Sequence, residues 1–347
     1  MSWGLFFYQD RLIERRRHGT RHQCITFICR FYLFSQGADF FVASSASIAR
    51  RFKISSLVIG LTLVAFGTSL PELAVSFIAS LTVEPGQTAD IAMGNVIGSN
   101  IVNITLILGL TAIVKPVFVS KTMHTKEFPY VIVTSILIAV FAFLFQSDAL
   151  IVWWEALILL IMFVGYVYMM MKTSKDAESN EEYAIMDMKK SILLVILGLL
   201  GVTLGGWMVT KGAENIAISV LVNVFKMNTS KAVTLIGLSI VAVETSLPEM
   251  VTSIVAAKKG ENEIAFGNLV GSNIFNILFI LGLSGMVTPL GINGDVLIDI
   301  WIMIGVTVFA LGSAITFGHV SKKEGFALVL MYATYLIYII LRAVEVF

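Results

Sequence analysis

Cysteine, histidine and charged residues are all scarce in this chain of 347 residues. The two cysteines, Cys24 and Cys29, are too few for a disulfide framework and match no metal-binding motif. The four histidines are scattered, which argues against a dedicated zinc site. Charged residues make up only 14%, and the net charge of +1 gives no indication of a nucleic-acid partner. The motifs H-E-x-x-H and G-x-S-x-G are absent, so the sequence gives little support for an enzyme.

Hydrophobic residues make up 57% of the chain and concentrate in long apolar segments. A helix needs about 20 apolar residues to cross a bilayer. The segments that meet this requirement are 24–46, 54–80, 91–114, 127–146, 150–171, 190–210, 232–256, 264–287, 296–317 and 325–345. The sequence therefore predicts an all-α membrane protein of about ten transmembrane helices, surrounded by the lipid bilayer and without a separate soluble domain.

Two pairs of these segments are near-copies of each other. Residues 60–79 and 237–256 agree at 11 of 20 positions, including the whole run T-S-L-P-E. Residues 91–110 and 264–283 agree at 14 of 20. The copies lie five segments apart, and this odd offset means that the second copy enters the membrane in the opposite direction. The sequence therefore predicts two inverted five-helix repeats, an arrangement found in many ion-coupled transporters.

The longest polar link separates the two predicted repeats. It covers 173–190 and divides a first repeat at 36–172 from a second repeat at 191–347. Residues 1–35 form an atypical N-terminal segment, because they are rich in arginine and lack the long apolar run expected of a first span. A mitochondrial presequence is the alternative for this segment.

Basic residues are distributed unevenly over the links. Numbered from the N-terminus, the odd links contain 14 Lys and Arg residues and the even links contain three. Basic residues concentrate in cytoplasmic links. The odd links, including the central 173–190 link, are therefore expected to be cytoplasmic, with both termini outside. The arginines before the first span disagree with that orientation.

Glu72 and Glu249 occupy equivalent positions in the first pair of repeated segments. An ionisable side chain at bilayer depth is costly and usually functional. The four repeated segments contain no Lys or Arg in their apolar cores, so the counter-charge has to come from elsewhere. A bound cation is the favoured interpretation. A salt bridge to another span, and protonation of both carboxyl groups, are the alternatives.

Further oxygen atoms lie on the same predicted helix faces, since residues three or four apart share a face. The residues that share a face with a glutamate, or step by four along the companion segments, are Ala65, Thr68, Ser69, Asn95, Ser99, Asn103, Ala242, Thr245, Ser246, Asn268, Ser272 and Asn276. Ca²⁺ takes six to eight oxygen ligands from such groups, and the same oxygens could hold Na⁺. For any single residue, a hydrogen bond between helices is the alternative.

Each glutamate follows a proline. Pro71 and Pro248 lack an N–H, and their rings clash with the carbonyl four residues earlier. This would free the carbonyls of Gly67 and Glu244 to line a cavity, although a kink that only serves packing is the alternative. Small residues four apart in the companion segments are expected to let the helices approach closely. These residues are Gly94, Gly98, Gly267 and Gly271.

The motifs G-T-S-L-P-E and G-N-x-x-G-S-N, each in paired segments, resemble the α-repeats of the cation/Ca²⁺ exchanger superfamily. The prokaryotic sodium/calcium exchangers are the most similar group, and potassium-dependent exchangers are related to it. The resemblance implies ten helices in two inverted repeats, with ions bound at the centre by spans 2, 3, 7 and 8. The ligands that it implies are Glu72, Glu249, Thr68, Ser69, Thr245, Ser246, Ser99, Ser272, Asn103 and Asn276, with the carbonyls of Ala65 and Ala242. Some relatives, potassium-dependent ones among them, have Asp where this chain has Asn276, which argues against potassium dependence.

The chain departs from the family pattern at Glu244, where the first repeat has Gly67. A third carboxylate there would modify the affinity or the selectivity of the site. The resemblance implies a secondary antiporter that exchanges Na⁺ for Ca²⁺ by alternating access, with spans 1 and 6 as the moving pair. These inorganic cations are its transported partners, no cofactor is expected, and a prokaryotic plasma membrane is the expected location. An H⁺-coupled divalent-cation antiporter is the alternative, and a cation channel is the alternative from another class.

Overall fold

The computed structural model describes residues 30–84, 86–119, 123–144, 150–173, 186–223 and 243–343, which are almost entirely helical. In chain order its elements are α1 (30–52), α2 (Ser56–Thr68), α3 (Leu70–Thr82), α4 (Asp90–Val114), β1 (Val117–Phe118), α5 (Met123–Glu127 continuing as Phe128–Leu144), β2 (Leu150–Ile151), α6 (Trp153–Thr173), α7 (Met188–Asn223), α8 (Leu247–Lys259), α9 (Asn262–Val287), β3 (Leu290–Gly291), α10 (Gly294–Phe317), β4 (His319–Val320) and α11 (Lys322–Ala343).

Seven of the described helices are long and apolar enough to cross a membrane, and the bent pair α2–α3 makes an eighth if it is one span. This confirms the predicted all-α membrane fold. The count of ten spans stays a prediction, because residues 224–242, which contain the start of the predicted seventh span, lie outside the described residues.

The two helices that carry the G-N-x-x-G-S-N motif form the centre of the molecule. The most apolar stretch of α9 is 94% buried and that of α4 is 78% buried, whereas the corresponding values are 28% for α6 and 22% for α11. The outer helices therefore turn apolar side chains toward lipid, and the motif helices are enclosed by protein.

Two helices extend beyond their predicted ends. The first span was expected at 24–46, but α1 continues to residue 52, and α7 continues from the expected end at 210 to Asn223. A helical backbone satisfies its own hydrogen bonds, so a helix can continue beyond the apolar stretch that is counted from the sequence. Arg50, in the extension of α1, forms a salt bridge with Glu261. Residues 1–29 of the atypical N-terminal segment lie outside the described residues, and 30–35 belong to α1.

The short strands pair between the two halves of the chain. β1 is antiparallel to β4, and β2 is antiparallel to β3. β1 and β3 follow the equivalent helices α4 and α9, while β2 and β4 precede α6 and α11. A rotation that places each half of the chain on the other would therefore place the pair β1–β4 on the pair β3–β2. A pseudo-two-fold axis would produce this relation. The sequence did not predict these strands, because two residues are too short to show a period.

Glycines bring α1 and α7 into backbone contact. A Cβ atom on Gly198 would lie 2.6 Å from the backbone nitrogen of Phe41, and one on Gly37 would lie 2.7 Å from the carbonyl carbon of Gly201. Only residues without a side chain permit such an approach. The first and sixth predicted spans therefore form a closely packed pair.

Candidate functional site

The motif T-S-L-P-E produces the same local structure in both halves. α2 and α3 meet at a 50° bend, and Ser69 at the bend has φ −85° and ψ 10°. Ser246 precedes α8 with nearly the same angles, φ −88° and ψ 4°. The proline falls in the first turn of the new helix, where its missing N–H costs little. Glu72 and Glu249 therefore lie in first turns, where the helix dipole favours a carboxylate.

Each glutamate accepts a hydrogen bond from a serine of the other half. Ser246 Oγ donates to Glu72 Oε1 over 3.2 Å, and Ser69 Oγ donates to Glu249 Oε1 over 2.8 Å. Both glutamates are fully buried, and each bonds to the serine that lies three residues before the other glutamate. The structure therefore brings together two acids that are 177 residues apart in the chain.

The described residues include no salt bridge from Lys, Arg or His to either glutamate. Salt bridges elsewhere in these residues join Arg50 to Glu261, Lys259 to Asp39, and Arg342 to Asp295 and Asp299. They also contain no group of three or more His, Cys, Asp or Glu side chains that could hold a metal ion. A cation at this site would therefore take most of its ligands from neutral oxygens.

Asn95 and Asn268 support the backbone beneath the glutamates. Asn95 Nδ2 donates to the Glu72 carbonyl over 3.2 Å and to Ser76 Oγ over 3.0 Å. Asn268 makes the equivalent bonds, at 3.4 Å to the Glu249 carbonyl and 3.0 Å to Ser253 Oγ. These two amides join α3 to α4 and α8 to α9. The sequence placed both asparagines on the polar face but did not single out the two serines.

The predicted hydroxyl ligands are buried around the two acids. Thr68 Oγ1 lies 3.0 Å from Asn268 Oδ1 and 3.1 Å from the Val64 carbonyl oxygen, and its one hydrogen can be donated to either. Thr245 Oγ1 and Ser272 Oγ have no hydrogen-bond partner among the described residues. Ser99 is also buried, at 2% exposure. The structure thus gathers all six predicted hydroxyl residues into the interior.

Of the two predicted carbonyl ligands, Ala65 and Ala242, only Ala65 belongs to the described residues. The Ala65 carbonyl accepts hydrogen bonds from the backbone nitrogen of Ser69 over 3.0 Å and from Thr68 Oγ1 over 3.4 Å. Thr68 has a single hydroxyl hydrogen, so the Ala65 carbonyl keeps a lone pair for a cation whenever that hydrogen is donated to Asn268 or to the Val64 carbonyl instead. Ala242 lies outside the described residues.

Asn103 and Asn276 begin π-helical turns, which often occur at functional sites. Asn103 Nδ2 donates to Asn273 Oδ1 over 3.1 Å, and Asn276 Nδ2 donates to Asn100 Oδ1 over 3.0 Å. The sequence did not identify Asn100 and Asn273, although both belong to the repeated G-S-N. The signal was present, but helical spacing puts them on a different face from Ser99.

Four buried oxygen atoms at the centre have no hydrogen-bond partner among the described residues. They are Glu72 Oε2, Glu249 Oε2, Asn103 Oδ1 and Asn276 Oδ1. A buried acceptor left unsatisfied costs about 1–3 kcal/mol, and more when it is charged. Carboxylate and amide oxygens of this kind, none of them bound to a cationic side chain of the described residues, are the ligand types that a hard cation takes.

The glycines of α9 bring that helix against α2. A Cβ atom on Gly271 would lie 2.7 Å from Leu61 Cα, and one on Gly267 would lie 2.8 Å from the Leu57 carbonyl oxygen. This confirms the predicted close approach for the second companion segment. For Gly94 and Gly98 the equivalent partners would fall within 224–242, outside the described residues.

Gly67 and Glu244, which differ between the halves, have different surroundings. A Cβ atom on Gly67 would lie 3.0 Å from Phe41 Cζ and 3.2 Å from Leu199 Cδ1, so a side chain there would press against the ends of these two residues. Glu244 is half-buried and interacts with neighbouring groups. The extra carboxylate therefore has no counterpart in the first half.

A known protein family matches this chain in two regions, one on each side of the central polar link. The family described as sodium/calcium exchanger protein matches residues 22–172 and 190–341. An uncharacterised membrane protein of Methanocaldococcus jannaschii is 38% identical over 252 residues, 72% of this chain and 77% of that protein. The sodium/calcium exchanger MaX1 of Methanosarcina acetivorans is 30% identical over 344 residues, covering 87% of this chain and 94% of that protein. The solved structure of the sodium-calcium exchanger NCX_Mj soaked with zero Na⁺ and Ca²⁺ is similar, with a TM-score of 0.74 at 30% identity. That match covers 90% of this chain and 97% of that one.

Proposed function

Because this chain belongs to the sodium/calcium exchanger protein family, we propose that both transported ions bind between Glu72 and Glu249. The protein is a multi-pass membrane protein that exchanges Na⁺ for Ca²⁺. A prokaryotic plasma membrane fits its bacterial and archaeal relatives. The observation that carries the proposal is the pair of buried, hydrogen-bonded carboxylates that form no salt bridge within the described residues.

The two glutamates supply the negative charge of the proposed site, and neutral oxygens complete the coordination. The neutral ligands that we propose are Thr68, Ser69, Ser99, Asn103, Thr245, Ser246, Ser272 and Asn276, with the carbonyls of Ala65 and Ala242. Ca²⁺ accepts six to eight oxygens in a flexible geometry, so only part of this set has to bind at one time. Glu244 acts from outside the ligand set, as a modifier of selectivity.

Competition for the same oxygens couples the two fluxes. The site cannot be fully occupied by Na⁺ and Ca²⁺ together, so ions that enter from one side displace those that entered from the other. An empty site would contain two uncompensated carboxylates, which are costly to enclose in a medium of low dielectric constant. The empty transporter therefore resists changing sides, and this limits leakage.

The proposed transport cycle uses ten helices arranged as two inverted repeats. In this cycle α1 and α7 move relative to the other helices. Their glycine contacts support movement as one unit, and the exchange-related strand pairs β1–β4 and β2–β3 support the inverted symmetry. Movement of this pair over the remaining helices would open the site to one side of the membrane and then to the other.

A flux assay with exchanged gradients tests the coupling ion. Purified protein in liposomes is given Ca²⁺ outside and either an outward Na⁺ gradient or a pH gradient alone. Ca²⁺ uptake is expected only with the Na⁺ gradient. Uptake driven by protons and insensitive to Na⁺ would overturn the assignment in favour of the H⁺-coupled alternative, and rapid Ca²⁺ flux without any counter-ion would indicate a channel.

A further inference from the structure

The four asparagines of the two G-S-N-x-x-N segments form one hydrogen-bonded cluster across the two halves. We infer that Asn100 and Asn273 are positioning residues that turn the amide oxygens of Asn276 and Asn103 toward the transported ion. The inference rests on the proposed function, since it assigns roles around the same site. It concerns two residues that do not belong to the proposed ligand set.

The hydrogen bonds of the cluster cross between α4 and α9 in both directions. Asn276 Nδ2 on α9 donates to Asn100 Oδ1 on α4 over 3.0 Å, and Asn103 Nδ2 on α4 donates to Asn273 Oδ1 on α9 over 3.1 Å. Asn100 Nδ2 donates in turn to the Asn273 carbonyl over 3.3 Å, which fixes the orientation of Asn100 itself. All four side chains are at most 1% exposed, so water does not compete for these bonds.

The hydrogen bonds of the cluster determine whether the amide oxygen or the NH₂ group of Asn103 and Asn276 is free to contact an ion. An asparagine amide has an acceptor oxygen at one end and two donor hydrogens at the other, and a half-turn about its last bond exchanges them. Because Asn100 and Asn273 each present an acceptor oxygen, the NH₂ groups of Asn276 and Asn103 are held there. Asn276 Oδ1 and Asn103 Oδ1 are then left buried without a partner among the described residues.

The orientation matters because a cation is attracted by the amide oxygen and repelled by the NH₂ group. Without the acceptor on Asn100, nothing in the cluster would prevent Asn276 from turning its NH₂ toward the site. The substitution Asn276→Asp would present an oxygen in either orientation. The role of Asn100 should therefore disappear in the Asn276→Asp variant, whereas a purely structural role would remain.

A double-mutant cycle on the full chain tests this inference. Wild type, Asn100→Ala, Asn276→Asp and the double variant are purified in detergent, and the increase in melting temperature with Ca²⁺ is titrated. Asn100→Ala is expected to raise the half-saturating Ca²⁺ concentration about tenfold in the wild-type background, since one oxygen ligand is lost. In the Asn276→Asp background the same change is expected to raise it less than about threefold.

The mirror cycle, Asn273→Ala with Asn103→Asp, provides an independent measurement if Asn100→Ala does not fold. Thr105→Val is the matched control, because Thr105 is a buried polar residue of α4 whose hydroxyl bonds only within its own helix, to the Ile101 carbonyl. It should leave the Ca²⁺ titration unchanged.

Two outcomes would overturn the positioning role. One is a Ca²⁺ titration of Asn100→Ala equal to that of wild type, and the other is an equal loss in the wild-type and Asn276→Asp backgrounds. A wild-type protein whose melting temperature responds to neither Ca²⁺ nor Na⁺ would instead overturn the proposed function and the inference with it.

Discussion

The two halves of the chain hold their glutamates in the same way but differ in what surrounds them. Asn95 and Asn268 donate equivalent pairs of hydrogen bonds, and each glutamate accepts from the serine of the opposite half. The likeness is not complete. Thr68 Oγ1 lies 3.0 Å from Asn268 Oδ1, whereas no hydrogen bond among the described residues joins the equivalent Thr245 to Asn95.

The difference indicates which features the central site requires. The serines and asparagines that hold the glutamates occur twice with the same contacts, as the proposed ion between the two halves would require. Gly67 and Glu244 differ between the halves, and the proposed site does not require them to match. The comparison therefore predicts large, equal effects for changes at the centre and smaller, unequal effects toward the periphery.

The largest effect is expected at the acids themselves. Glu72→Gln and Glu249→Gln each remove one of two negative charges, and each should reduce Na⁺-driven Ca²⁺ uptake in liposomes about 100-fold or more. The equality of the two losses tests the equivalence of the halves. It would be disproved if one variant kept more than about a tenth of the wild-type rate while the other lost all transport.

Glu155→Gln is the matched control for the glutamate variants. Glu155 is also inaccessible to solvent, but it lies at the start of α6, where its Oε2 accepts from the Val152 backbone nitrogen. A glutamine can still accept that hydrogen bond, so transport should remain near the wild-type rate.

The second largest effect is expected from a change in the close contact between α9 and α2. In Gly271→Ala the new methyl group would lie 2.7 Å from Leu61 Cα and 2.9 Å from Ala65 Cβ, and backbone atoms cannot move aside as a flexible side chain can. Overpacking of this kind costs about 1–3 kcal/mol. The melting temperature in detergent should fall by roughly 5 °C, and transport should fall with it.

Gly165→Ala is the control that measures how replacing a helical glycine changes the melting temperature when no contact with α2 is involved. Gly165 is exposed on α6, and no atom of the described residues lies within 4 Å of its Cβ position. Its replacement should leave the melting temperature unchanged or raise it slightly, because alanine favours a helix. A similar decrease for both glycines would show that the contact with α2 is not the cause.

The sequence alone predicted the central residues well, for a physical reason. A buried charge, a helix break at proline and a repeated polar face leave strong local signals, and Glu72, Glu249, Ser69 and Ser246 all meet at the centre. The hydrogen bond from each serine to the glutamate of the other half could not be predicted, because helical periodicity identifies a helix face but not the helix that this face contacts.

Other contacts left weaker signals in the sequence. Asn95 and Asn268 were assigned to the polar face, but an amide on that face can bind a backbone carbonyl as well as an ion, and here both do so. The cluster of Asn100 and Asn273 depends on the crossing of α4 and α9. Two-residue strands and the exact ends of α1 and α7 are set by tertiary contacts, which no local pattern encodes.

A smaller effect is expected from the acid that only one half carries. Glu244→Gly makes the second half resemble the first at this position. A carboxylate near a cation site raises its affinity for divalent ions, so the variant should need about threefold more Ca²⁺ for half-maximal exchange, with the maximal rate little changed. An unchanged Ca²⁺ dependence would show that Glu244 acts only through its contacts with neighbouring groups.

The smallest effect is expected at the salt bridges that join α1 to the end of α8 and to the turn that follows it. Arg50 binds Glu261 and Lys259 binds Asp39. In the other half, Phe225 and Thr82 occupy the positions equivalent to Arg50 and Lys259, so these bridges have no sequence counterpart there.

Asp39→Asn should weaken the contact of the α1–α7 pair with one end of the molecule only. Lys259 and Asp39 are partly exposed, and such ion pairs contribute about 0.2–1 kcal/mol, so the exchange rate should change about twofold and the difference should shrink at high ionic strength. Arg342→Gln is the control, because Arg342 bridges Asp295 and Asp299 between α10 and α11, away from α1. If both variants changed the rate equally, the bridge to α1 would have no special part in transport; an effect of Asp39→Asn alone would locate the remaining asymmetry of the halves at this end of α8.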